Sequence, residues 1–155
     1  MKSLISMRAE EGKEISKQLK IHLDNIQKYL SRLIELLPEE AKEYRRRLES
    51  RIIGMLGEKI TIDEYRLIHE IAILAEKADV TEETARLKSH LRQLTQWLQL
   101  KKEKGIGKKL DFILQEINRE INTIGSKSNH LDIARLVIEL KNETEMIREQ
   151  VQNIE

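Results

Sequence analysis

At 155 residues the chain has the length of one ordinary domain, enough to bury a core without staples. Charged residues make up 35% of it and aromatics 3%, with no cysteine, which excludes disulfides and thiolate metal sites and leaves little material for strands. A net charge of +1 argues against a generic polyanion binder, and without a membrane-spanning apolar run or a signal-peptide pattern the expectation is a soluble, cytoplasmic protein.

The composition predicts an all-α helical bundle of about six helices. The first helix is predicted from Ser3 to Leu36, with near-heptad apolar marks at Ile15, Leu19, Leu23, Ile26, Leu30 and Leu33. Pro38 followed by Glu39 and Glu40 reads as a new helix start, and Gly57 as the end of that second helix. Residues 1–57 would then form a long antiparallel helical hairpin, and 58–155 a second region carrying the motifs. Thr61-x-x-Glu64 reads as a capping box for a third helix with Leu67, Ile71 and Leu74 inward. Ala78-Asp79-Val80 breaks it, and Thr81 opens a fourth helix on Leu87, Leu91, Leu94 and Leu98. Gly105 and Gly107 lead into a fifth, Lys108 to Ile124; after a loop from Gly125 to Asn129, a sixth runs from Leu131 to Val151.

The fifth helix has unusual chemistry for its size. Leu110, Ile113, Leu114, Ile117, Ile121 and Ile124 share one arc. Asp111, Gln115, Asn118 and Asn122 line one edge of that arc, and Glu116 and Glu120 line the other. Arg119 and Phe112 fall opposite, and a phenylalanine there predicts a helix covered on more than one side. On the fourth helix Glu83, Arg86, His90 and Trp97 follow one edge of the leucine stripe, with Glu70 at the matching edge of the third.

Glu83 and His90 are two turns apart, about 10 Å by helical rise, so a shared ion would need ligands from another helix. Such carboxylate–imidazole sets suit Mg2+ or Mn2+ and phosphodiester hydrolysis. The same spacing suits a buried salt-bridge lattice tying helices together. Two basic clusters, Lys101, Lys102, Lys104, Lys108 and Lys109 around the glycine loop and Arg45, Arg46, Arg47 and Arg51 earlier, can hold phosphates. For the arginines a solvated, Glu-paired face fits equally well. His22, His69 and His130 show no partners in sequence and read as surface or packing residues.

Three segments resemble the C-terminal domain of the YicC/YloC family of bacterial endoribonucleases: DVTEETARLKSHL (79–91), GKKLDFILQEINREINTIGSKS (107–128) and IELKNETEMIREQVQNIE (138–155). Met7-Arg8-x-x-Glu11-Gly12 resembles the family's linker into its helical part. The resemblance implies a preceding α/β domain, absent from this chain, together with divalent-metal-dependent hydrolysis of single-stranded RNA, often with Mn2+, and hexameric rings. Among the positions where the family's signature acids and bases fall, the expected metal and catalytic set is His90, Glu83, Glu116 and Glu120 with Glu70, and Arg86, Arg119 and Lys127 are expected to hold the scissile phosphate. Lys108, Lys109, Asn118 and Asn122 would bind flanking RNA, and the terminal REQVQNIE would make subunit contacts. The alternative is a non-catalytic oligomerisation or RNA-binding adaptor module.

Overall fold

A computed structural model describes residues 2–56, 63–99 and 105–152. They are helical throughout, in five helices: α1 (Lys2–Leu56), α2 (Glu64–Ala78), α3 (Thr81–Gln99), α4 (Ile106–Lys127) and α5 (Leu131–Gln152). The all-α class agrees with the sequence expectation; the division into about six helices does not.

The difference lies at Pro38. The first two predicted helices are one, and Pro38 sits on its exposed side without ending it. A helix-interior proline costs about 3 kcal/mol, but packing on both sides of it outweighs that local penalty. Leu30 and Leu33 before it are buried in the core, and Glu40 after it accepts a hydrogen bond of 2.5 Å from Ser128 Oγ in the α4–α5 turn. The hairpin therefore has other partners. The C-terminal half of α1 turns back through α2, whose last turn reaches Leu37–Tyr44.

The N-terminal half of α1 joins a four-helix bundle with α3, α4 and α5. Its neighbours run antiparallel: Gln18 meets Gln150, His22 and Asn25 meet Glu143, and Glu40 meets Ser128. α4 runs antiparallel to α5 through Asp111–Arg148 and Gly125–Val137, and to α3 through Glu83–Lys127. Leu19, Ile26, Leu30 and Leu33 of α1 share one core with Leu87, Leu91, Leu94 and Leu98 of α3, and with the apolar stripes of α4 and α5. The spacings on α1, α3 and α5 are three, four or seven, as left-handed bundle packing requires, and α4 adds the adjacent pair Ile113 and Leu114. On α5 the repeat Ile133, Val137, Leu140, Thr144, Ile147, Val151 places a threonine at one core position. Its hydroxyl donates to the Leu140 carbonyl (2.7 Å), so burial leaves it satisfied.

Helix boundaries follow local chemistry. Asp63 caps α2, accepting from the Tyr65 and Arg66 amides (3.1 and 3.4 Å), whereas Thr61 of the expected capping box lies outside the described residues. Asp79, rather than Thr81, caps α3: its Oδ1 accepts from the Thr81 amide (3.0 Å) and hydroxyl (2.5 Å). Gly105 enters α4 at φ 81°, a left-handed conformation that favours glycine. Gly107, expected in the loop, is inside α4. So is Gly125: a Cβ there would lie 3.0 Å from Val137 Cγ1, so the glycine lets α4 and α5 approach closely.

Candidate metal centre

α3 and α4 pack antiparallel with their charged edges facing each other. The pairing brings His90, Glu116 and Glu120 together, with one possible ligand atom from each lying within 4.8 Å of the others. Glu120 is buried, while His90 and Glu116 are half-buried. His90 Nδ1 is shielded from solvent and has no hydrogen-bond partner. An imidazole nitrogen and two carboxylates make a donor set suited to a divalent cation such as Mn2+, and the orphaned nitrogen is a group such an ion would satisfy.

Around this trio lies a set of ion pairs. Arg86 bridges the helices, with Nη1 3.6 Å from Glu120 Oε1 and Nη2 on Glu82 of its own helix. Glu82 and then Glu120 raise the Arg86 pKa, favouring the charge it already carries. Arg119 Nη1 stands 3.8 Å from Glu116 Oε2 and is 72% exposed, which leaves its guanidinium open to solvent.

Glu83 is not part of the trio. It is buried at the start of α3, where Lys127 Nζ donates to its Oε1 (2.7 Å) and to the Asp79 carbonyl (3.0 Å). Burial raises the Glu83 pKa. The Lys127 hydrogen bond, the Glu83 backbone amide and the charges of Lys127 and Arg86 more than offset this, so the net shift is downward. Its Oε2 is buried without a partner. Asp79 is also shifted down, chiefly by the Thr81 hydroxyl and then the Thr81 amide. Glu70 is exposed on α2, which packs chiefly on α1, and it is not brought to the trio.

The other edge of α4 faces α5. Arg148 Nε donates to Asp111 Oδ1 (3.2 Å), and Gln115 Nε2 to Asp111 Oδ2 (2.7 Å). Gly107, Lys108, Asp111, Leu114, Arg148, Val151 and Gln152 line a cleft of about 310 Å3 there. Lys108 and Lys109 are exposed on the first turns of α4, Asn118 is half-buried and Asn122 exposed. Lys101, Lys102 and Lys104 lie outside the described residues, as do the last three residues of REQVQNIE. Phe112 is 58% exposed, contrary to the expectation of a helix covered on that side.

Three features escaped sequence reading. His22 has a partner after all: its Nδ1 lies 2.6 Å from Glu143 Oε2, while Asn25 Nδ2 donates to Glu143 Oε1 (3.0 Å). His130 Nδ1 likewise accepts from the Asp132 amide at 3.2 Å. Arg148, the partner of Asp111, was also missed. The available signal was position: His22 and Arg148 each flank a core residue of their helix, Leu23 and Ile147.

Comparison with known proteins places the chain in a family. Residues 33–155 match the family model described as "Endoribonuclease YicC-like, C-terminal". A protein of Clostridioides difficile (strain 630) named "Probable endoribonuclease YicC" is 46% identical over 98% of this chain and 51% of its own length. One of the same name from Haemophilus influenzae (strain ATCC 51907 / DSM 11121 / KW20 / Rd) is 37% identical over 97% of this chain and 51% of its own. The chain thus spans about half the length of the curated relatives it matches. With a family model covering most of its residues and an edge of acids and His90 built by its own helix pairing, this chain belongs to the endoribonuclease YicC-like family, in the C-terminal part of that family's sequence.

Proposed function

We propose that this chain carries the metal centre of an endoribonuclease that hydrolyses phosphodiester bonds of single-stranded RNA, with Mn2+ or Mg2+ held by His90, Glu116 and Glu120. The observation carrying this reading is the convergence of three ligand groups from two helices at His90, whose Nδ1 is buried and unpartnered. A divalent cation there would supply Lewis-acid charge to a phosphoryl oxygen and activate water at neutral pH.

The chain's own residues have separable tasks in this reading. Arg86 holds Glu120 in place through its bridge between α3 and α4. Arg119, the cation of the edge with its guanidinium open to solvent, meets the scissile phosphate and stabilises its developing charge. Glu83 acts through position, since its Lys127 bridge fixes the register of α3 against α4. Lys108, Lys109, Asn118 and Asn122 receive flanking RNA, and Gly107–Lys108 sit beside the cleft against α5. The hexameric assembly implied by the resemblance belongs to the same reading, as does the cytoplasmic setting expected from the sequence. Among the described residues no helix is long and apolar enough to cross a membrane, and exposed Phe112 supports a covering partner.

The ion pairs Arg86–Glu120 and Lys127–Glu83 favour a second reading, in which the same edge is a structural lattice in a non-catalytic RNA-binding or oligomerisation module. Incubation with labelled single-stranded RNA in Mn2+ and then in EDTA separates the two. Cleavage lost on chelation and in His90→Ala, with helicity retained, is the expected result. Binding of RNA with no metal-dependent cleavage would leave the module reading standing for this chain.

A further inference from the structure

The C-terminal half of α1 carries cations that the metal centre does not use. Arg46, Arg47 and Arg51, with Tyr44, Ser50 and Asn129 of the α4–α5 turn, line a cleft of about 740 Å3. Among the described residues no carboxylate lines it. Of the neighbouring acids, Glu49 Oε1 accepts from Arg45 Nε (3.2 Å) and Glu40 accepts from Ser128, while half-buried Glu43, one turn before Arg46 and Arg47, does not line the cleft. Arg46, Arg47 and Arg51 are exposed and make no ion pair with another described residue. Three guanidinium groups thus share one concavity whose described lining offers them no carboxylate.

We propose that this cleft is a docking subsite for the phosphate backbone of a single-stranded nucleic acid, separate from the His90–Glu116–Glu120 group. Arg47 and Arg51 stand one turn apart on α1, about 6 Å by rise, which sets guanidinium forks along the cleft rather than at a point. Arginine suits phosphate because its planar donors engage the oxygens in pairs. Half-buried Tyr44 at the same cleft supplies an aromatic ring, and a basic groove with an aromatic is the combination that binds single strands without sequence preference. A small free phosphate would leave most of the cleft and the ring unused.

The cleft and the metal centre are linked along the chain by α4. Asn129 lies two residues beyond Lys127, which is seven residues, about 10 Å of helical rise, past Glu120. A strand held at the arginines is thereby anchored at a distance from the trio rather than on it. That the strand is RNA rests on the ribonuclease reading; the existence of the subsite does not.

The test uses the full chain in EDTA with a fluorescein-labelled 2′-O-methyl oligouridylate, which cannot be cleaved through its 2′ oxygen, and fluorescence anisotropy as the readout. Arg47→Ala/Arg51→Ala should weaken binding at least tenfold. It should also flatten the salt slope by about 1.4, at roughly 0.7 per lost single-strand phosphate contact. Arg32→Ala/Arg45→Ala, which removes equal charge from the same helix outside the cleft, should change affinity less than threefold. Arg47→Lys/Arg51→Lys, with circular dichroism, reports whether any loss comes from misfolding, since it retains the charge.

An unchanged affinity and slope in Arg47→Ala/Arg51→Ala overturns the subsite, whatever the cleavage assay shows. So does equal weakening in the two double-alanine variants. Pyrophosphate that binds the cleft when the oligonucleotide does not would make it a small-phosphate site and overturn the inference as well. Arginine-dependent binding by a chain that cleaves no RNA would leave the subsite standing while the ribonuclease reading falls.

Discussion

Lys127 Nζ lies 2.7 Å from Glu83 Oε1 and 3.0 Å from the Asp79 carbonyl oxygen, so one ammonium ties the last turn of α4 to the first turn of α3. Both charges also complement the helix ends they occupy, an acid at an N-terminus and a base at a C-terminus. The contact makes a prediction about pH. Glu83 titrates lower in the fold than its ordinary value of 4.5, because the Lys127 bond and nearby charge outweigh the burial that alone would raise it. A lowered carboxylate contributes stability that is complete above that ordinary value and is lost as pH falls through the lowered one. Thermal melts between pH 7 and pH 3 should therefore fall below about pH 4.5, with Asp79 adding to the same limb. Lys127→Met leaves a buried carboxylate without its cation and should cost roughly 1–3 kcal/mol at pH 7. It should also flatten the acid limb. An acid limb as steep as wild type in Lys127→Met would remove the bridge from the account.

The metal reading predicts ligand-linked stability that needs no RNA. Any ion that binds the fold and not the unfolded chain raises stability by about 2.7 kcal/mol at a hundredfold excess over its dissociation constant. For a chain of this size that is roughly 5–10 °C in melting temperature. Mn2+ should produce such a rise, EDTA should reverse it, and His90→Ala and Glu120→Gln should each abolish it while remaining folded. Glu70→Gln should keep it, because Glu70 lies on α2 apart from the trio. A Mn2+ response preserved in both trio variants would place the ion elsewhere.

Much of this architecture was legible in the residues, and the illegible part has a common cause. The arc Leu110, Ile113, Leu114, Ile117, Ile121, Ile124 is buried throughout, and its two charged edges do face different helices: Glu120 meets Arg86 of α3, and Asp111 meets Arg148 of α5. Periodicity reports which face of a helix is inward, so these followed from spacing alone. Partners distant in sequence did not. His22 meets Glu143 across 121 positions, and nothing local to either residue signals the pairing. The same blindness admitted Glu83 and Glu70 to the metal set, because edge position was readable and axial register between helices was not. At Pro38 a sound local rule lost to tertiary packing.

Gly125 offers a test of how tightly α4 and α5 are packed. An alanine there gains about 1 kcal/mol of helix propensity, yet its Cβ would sit 3.0 Å from Val137 Cγ1. Valine in a helix is nearly confined to one rotamer and cannot turn aside freely, so overpacking of about 1–3 kcal/mol should win. Gly125→Ala is thus expected to destabilise the wild type. In a Val137→Ala background the clash is gone, and the same substitution should stabilise. A Gly125→Ala effect of the same sign and size in both backgrounds, measured by urea denaturation, would mean the close approach carries no energy.

Pro38 should respond in the opposite direction from most helix residues. It is exposed within continuous α1, and it lacks the amide N–H that would reach the carbonyl four residues back, at Ile34. Its neighbours hold the helix straight through: Leu33 is buried on one side, and Glu40 is held by Ser128 on the other. Pro38→Ala should therefore stabilise the chain by about 1–3 kcal/mol and raise helicity at 222 nm only slightly, since the helix already exists. Proline also limits the unfolded chain, an entropic benefit of about 0.4–1 kcal/mol that the substitution gives up, and this sets the lower end of the range. A destabilised Pro38→Ala would mean that Pro38 is needed where it lines the cleft beside the last turn of α2, together with Tyr44 and Ala75. Pro38→Ala/Tyr44→Ala would then lose the sum of the two single changes if the cleft packing were independent at the two positions, and less than the sum if they share it.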